Sequence, residues 1–97
     1  MSGEAAVRVF APVGELTMQS APAQLEEGRR LAAAGDLVVD FSAVTAADSS
    51  ALALLLEWMR FARAEGYALS VRGLPAGLAS LSRLYDIDAL LPVEGGA

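Results

Sequence analysis

The sequence predicts a small single-domain α/β fold, a mostly parallel or mixed sheet of three to four strands covered by three to four helices. Three observations predict it. Short runs patterned for strands alternate with longer runs patterned for helices, and that alternation implies parallel strands joined by crossovers. The 97 residues fit one domain and are too few for two independent cores. An apolar share of 55% with an aromatic share of only 6% suits helices packed closely on a sheet and argues against disorder.

The elements follow in order. Residues 7–13 alternate at period two, with Val7, Val9, Ala11 and Val13 on one side and Pro12 marking the end of a strand. Gly14-Glu15-Leu16 then reads as a turn. Ser20 is a good N-cap, Pro22 is tolerated in a first turn, and Leu25, Arg29, Leu31 and Ala32 carry a helical pattern to Gly35. Asp36 to Phe41 is a short apolar run between turn signals, the pattern of a central strand buried on both faces. Residues 42–48 read as a loop, and a long helix runs from Ser49 to Glu65, stopped by Gly66. Residues 67–72 alternate again as a strand. Leu74-Pro75 opens a last helix with Leu78, Leu81, Leu84 and Tyr85 on one face, after which Ile87, Leu90 and Leu91 fold back on the core. The single domain covers residues 1–97, with 1–5 and 94–97 expected to be flexible tails.

Composition narrows function. Twelve Asp and Glu against seven Lys and Arg give a net charge of -5, a field that repels phosphate backbones and anionic lipid heads. A basic patch on a protein is the better partner, and neither nucleic acid nor direct membrane insertion is expected. The chain has no Cys and no His, which removes the thiolate nucleophile, the commonest general base and the commonest metal ligand together. It has no Lys either, so a Ser nucleophile would lack a usual base. A non-catalytic protein without cofactor or metal is the expectation. Asp36, Asp40, Asp86 and Asp88 sit at turns and strand ends without EF-hand spacing, and Gly73 and Gly77 lack the Lys of a phosphate loop. Met1-Ser2-Gly3-Glu4 has no signal-peptide character and no apolar run approaches the ~20 residues that span a bilayer, so the expected setting is cytoplasmic. Glu26-Glu27 with Arg29-Arg30 reads as a solvated helix face.

The long helix is apolar on too many sides. Leu52, Leu55, Leu56, Met59 and Ala62 gather on the stripe that should cover the sheet, while Leu54, Trp58 and Phe61 occupy an adjoining arc. That arc either meets a neighbouring helix or serves as a protein-docking face with Glu57 and Arg60 as its rim. At the start of the helix, Asp48 or Ser49 can cap the first turn by accepting hydrogen bonds from free backbone N–H groups. The alternative for a hydroxyl here is presentation to a partner or a kinase, where a phosphate would gain from the helix N-terminus.

The stretch Val39-Asp40-Phe41-Ser42-Ala43-Val44-Thr45-Ala46-Ala47-Asp48-Ser49-Ser50-Ala51-Leu52 resembles the signature of the STAS family (sulfate transporter and anti-sigma factor antagonist). In that signature a strand ending in Asp or Asn leads through a loop to Asp-Ser/Thr-x-Gly-Leu. Gly14-Glu15-Leu16 is similar to the family's Gly-Glu-Leu turn, and the element order agrees over nearly the whole chain. The resemblance implies two functions. In anti-sigma factor antagonists a partner kinase phosphorylates the hydroxyl residue that matches Ser49. In lipid-asymmetry (Mla) transporters a STAS subunit binds the cytoplasmic ATPase of the ABC complex through the same turn and helix, at the inner face of the inner membrane. Leu52-Ala53-Leu54-Leu55-Leu56 and the ending from Leu84 to Pro92 look more like the transporter subunit. The implied partner site is Asp48, Ser50, Ala53, Leu54, Glu57, Trp58 and Phe61, with Ser49 as both a contact and a candidate phosphoacceptor. Three departures stand out. Ala51 replaces the family's Gly, which asks for more room where a partner backbone approaches; Thr17 stands where antagonists often carry Asp; and only six residues precede the first strand, which implies one strand fewer and an open sheet edge.

Overall fold

A computed structural model of the chain describes residues 8–91, so Val7, the expected tails and the question of a further N-terminal strand lie outside the described residues. In chain order the elements are β1 (Val9–Phe10), β2 (Gly14–Leu16), α1 (Ala21–Ala32), β3 (Leu37–Asp40), β4 (Val44–Ala47), α2 (Ser49–Ala64), β5 (Leu69–Arg72) and α3 (Ala76–Leu84), closed by a 3-10 turn at Asp88–Leu90. The fold is thus a small α/β domain of five parallel strands and three helices.

The centre of the sheet is β3, as its unbroken apolar run implies. It pairs in parallel with β1 (Val9 with Val38, Phe10 with Val39) on one side and with β5 (Leu37 with Leu69 through Asp40 with Arg72) on the other. Beyond the end of that sheet the chain pairs again: β2 and β4 run parallel from Gly14 with Val44 to Leu16 with Ala47, after an irregularity at Gly14 and Glu15. Two segments read from sequence as turn and loop are therefore strands. The physical reason is visible in both. Gly14 takes φ +88, so β2 opens on a backbone kink, and in Val44-Thr45-Ala46-Ala47 the two β-formers are followed by two alanines with no clean alternation.

Helix α1 begins after Ser20, but the Ser20 side chain does not cap it. Its hydroxyl turns back, accepting from the Thr17 N–H at 3.0 Å and lying 3.0 Å from the Glu15 carbonyl, to which it donates. Helix α2 spans the predicted residues to within one position. In α3, Leu78 is buried, but Leu84 and Tyr85 stand out in solvent at 75% and 53% exposure. Leu91 packs into the core whereas Leu90 is 62% exposed, so only part of the expected closing face folds back.

The core joins Leu37, Val39, Phe41 and Val71 of the sheet region to Ala51, Leu55, Trp58 and Ala62 of α2, all nearly inaccessible to water. The inward stripe of α2 is thus rotated from the predicted one: Leu56 and Met59 are only half-buried, and Trp58 points in. Trp58 does so because α1 offers it a notch. Gly28 faces the indole so closely that a Cβ there would overlap the ring, the indole N–H donates to the Leu25 carbonyl at 3.2 Å, and Phe10 meets the ring edge-on at 5.4 Å.

Gly28→Ala tests this contact. Although Ala favours a helix by up to ~1 kcal/mol, the methyl must displace a pinned ring, so a net loss of about 1–3 kcal/mol is expected in urea denaturation. Gly77→Ala is the control. A Cβ at Gly77 meets nothing within 4 Å, so the change should be neutral or stabilising.

Candidate functional site

The turn at Asp48 is delivered by the β2–β4 ladder. Leu16 is buried, its partner Ala47 lies directly before the turn, and the Asp48 N–H continues the ladder by donating to the Leu16 carbonyl at 3.3 Å. Asp48 is extended (φ -119), and its Oδ1 accepts from the Ser50 N–H at 2.9 Å while its carbonyl accepts from the Ala51 N–H at 3.0 Å. Asp48 is therefore the N-cap of α2. Ser49, the first residue of the helix, is exposed, and its hydroxyl has no hydrogen-bond partner among the described residues.

Beside the turn, α1 and α2 leave an open groove of about 350 Å³ lined by Ala21, Pro22, Leu25, Ser50, Ala53, Leu54 and Glu57. Four residues expected at the site, Ser50, Ala53, Leu54 and Glu57, are brought together here. The α1 wall was not legible beforehand, because nothing local marks Ala21, Pro22 and Leu25 as facing α2. Their i, i+1, i+4 spacing is a helix face that only tertiary packing assigns.

The aromatic part of the expected site is corrected. Trp58 is completely buried between the helices and Leu54 is 4% exposed, so neither projects to a partner. Phe61 is half-buried, and its outer side lies under the guanidinium groups of Arg29 at 5.9 Å and Arg60 at 5.2 Å. The arc meets a neighbouring helix, and its surface remnant is Ala53 with the edge of Leu54. Ala51 is likewise fully buried, so its methyl fills the core and does not stand where a partner backbone would approach. Glu57 pairs with Arg60, and the Glu26–Arg29 and Glu27–Arg30 pairs lie on the solvated face of α1.

A polar cluster closes the sheet just before the loop to the site. Asp40 Oδ1 accepts from the Ser42 N–H at 2.8 Å and hydroxyl at 2.6 Å, and Oδ2 accepts from Arg72 at 3.1 Å. The Ser42 hydroxyl and N–H, then Arg72, hold the Asp40 carboxyl below its ordinary range. Gly73 follows at φ +70, where a Cβ would press on Ser42 and Asp40. Asp36 accepts from the Ala68 N–H at 2.9 Å, so both carboxylates serve the strands, and among the described residues no acidic group is arranged to hold a metal. No described helix is long and apolar enough to cross a membrane.

The chain is thus a small parallel α/β domain that presents a capped helix start beside an apolar groove. The chain belongs to the STAS domain family: the family model described as "Mlab, STAS domain" matches residues 4–92. STAS domains are generally non-catalytic interaction domains. The fold is similar to that of the anti-sigma factor antagonist SpoIIAA in its unphosphorylated form, with a TM-score of 0.72 and 16% identity over 96% of this chain and 86% of that one. It is also similar to a sulfate transporter family protein from Wolinella succinogenes (TM-score 0.68, 15% identity, 88% and 70% covered). The SulP transporter STAS domain from Vibrio cholerae compares at TM-score 0.68 and 18% identity, over 99% and 80% of the two chains. No curated protein matches the sequence.

Two predictions follow from the polar groups. Asp48→Ala removes the acceptor for the Ser50 N–H and should cost about 1 kcal/mol in chemical denaturation, with Asp48→Asn recovering most of it. For Asp40, the lowered folded value means stability that is present above the ordinary value near 3.8 and lost as pH falls through the folded one. Asp40→Asn should therefore lower the urea midpoint at neutral pH and flatten its decline in acid; an unchanged acid limb would refute the assignment.

Proposed function

We propose that the chain is a non-catalytic subunit that binds and supports the cytoplasmic ATPase of a phospholipid-transport (Mla-type) ABC complex. The observation that carries this reading is the α1–α2 groove: an apolar recess that reaches the turn at Ser50, walled by small and aliphatic side chains. Such a recess accepts an apolar side chain of a partner, while Ser50 and Glu57 in its lining supply polar contacts. The family model's Mlab description supports the same direction. The chain carries no nucleotide-binding motif, so the partner holds the ATP.

The exposed, unbonded hydroxyl of Ser49 favours a second reading, an antagonist-type phospho-switch acted on by an anti-sigma factor kinase. A phosphate at Ser49 would meet the N-terminal end of α2 and add charge next to Asp48, one residue before the groove-lining Ser50. The switch would then act by closing an apolar site to its partner.

Co-purification separates the readings. The chain should co-purify with an Mla-type ATPase, and Ala53→Arg, which fills the groove from an exposed position, should abolish capture with the circular dichroism spectrum unchanged. Retained capture in Ala53→Arg and Ser49→Arg alike would sink the transporter reading. Trp58→Ala is a poor probe, because it empties the core. Incubation with a candidate kinase followed by intact-mass analysis tests the switch: no added phosphate on Ser49 removes it.

A further inference from the structure

The strands run in parallel, so each helix leads the chain from the Ser49 end of the sheet back to its opposite end. There the far half of α2 meets the start of β5 and the closing 3-10 turn. Two adjoining recesses lie at that end and share Met59, Arg63 and Leu90. One adds Leu56 and Arg60, the other Tyr67 and Leu69. The first is mainly apolar and the second mixed, and both have a cationic rim on a chain whose net charge is -5.

Arg63 stands apart from the other arginines. Arg8 donates to the Asp36 and Leu31 carbonyls, Arg29, Arg30, Arg60 and Arg72 pair with carboxylates, and Arg83 reaches Ser80. Arg63 has no such partner among the described residues. The same end carries a complementary feature. At the end of α3 the chain turns sharply at Asp86, which takes φ +62, just after Leu84 and Tyr85, both largely exposed. Asp86 too has no ion pair among the described residues. An apolar recess rimmed by an unpaired cation and an apolar knob tipped by an unpaired anion thus occur on one chain, with Leu90 beside both.

We propose that this end of the molecule is the interface of a homodimer, in which Leu84-Tyr85-Asp86 of one copy docks on the Met59-Arg63-Leu90 surface of the other and the reverse. A two-fold pairing satisfies both unpaired charges twice and covers the large exposed side chains Leu84, Tyr85 and Leu90. It leaves the Asp48-Ser49-Ser50 turn of each copy facing away, so it does not rest on the function proposed above.

Sedimentation equilibrium over a wide concentration range tests it. The mass should rise from the 10.0 kDa of one chain toward twice that value. Arg63→Asp and Asp86→Arg should each weaken the dimer about tenfold, because each loses two ion pairs and gains two repulsions. The two changes combined in one chain should restore association, a recovery that general destabilisation cannot produce. A mass that stays at one chain at the highest concentration would overturn the proposal, as would a double variant no better than either single one. Two further results overturn it in favour of another occupant. One is association lost on Ala53→Arg but untouched at Arg63. The other is a monomer whose Met59 and Leu90 NMR signals move only when phosphatidylglycerol vesicles are added.

Discussion

Trp58 lodged against Gly28 is the contact on which the rest of this structure depends. An indole buried to the last atom excludes water from the seam between α1 and α2, and its N–H bond to the Leu25 carbonyl fixes how far the two helices can slide. It also fixes the roll of α2 about its own axis. With Trp58, Ala51, Leu55 and Ala62 inward, a period of 3.6 residues sends Ser50, Ala53 and Glu57 to one flank and Leu56, Met59 and Arg63 to the other. The two surfaces of α2 are therefore set by one glycine on a different helix.

The turn depends on a second device acting along the chain. A helix start needs acceptors for its free N–H groups, and a docking site needs a backbone that does not wander. The short β2–β4 ladder meets the second need by carrying sheet pairing past the end of β1 and β3 up to the Asp48 N–H itself. Asp48 meets the first with its carboxylate. Because that carboxylate is engaged with the helix, the neighbouring hydroxyl at Ser49 is left free to face outward. Capping falls to Asp48 and leaves the Ser49 hydroxyl unengaged among the described residues.

Much of this was legible in the sequence, and the parts that were not share a cause. The strand at Leu37–Asp40, the helix from Ser49 and the cap at Asp48 are local patterns, fixed by hydrophobic period and by the chemistry of a helix start. Val44–Ala47 is a strand only because Gly14–Leu16 lies alongside it, and no residue in either segment announces that pairing. Trp58 shows the same limit. Its position on the helix wheel was clear, but whether the arc faced a helix or a partner turned on Gly28, thirty residues earlier, whose missing side chain makes the notch. Leu84 and Tyr85 fit a helical face by spacing, yet α3 ends where they begin, so that end of the face is not buried.

The burial of Trp58 changes what a partner at the Ser49 end must supply. Interfaces draw much of their affinity from aromatic or aliphatic anchors seated in pockets, and had Trp58 pointed outward this chain would have carried the anchor. With Trp58 spent on the core, the groove offers Ala21, Pro22, Leu25 and Ala53, side chains that make walls and a floor. In the proposed complex the chain is then the receptor for an anchor, and the apolar knob belongs to the partner. Its rim restricts that knob further: Glu57 is held by Arg60 and Asp48 by the helix, so the charged groups nearest the groove are already engaged. Seating an apolar side chain there breaks no ion pair, whereas a charge placed on Ser49 would stand beside Asp48 with no described cation in the groove lining to answer it. The same geometry that makes the groove receptive makes it sensitive to charge on the serine that precedes the groove-lining Ser50.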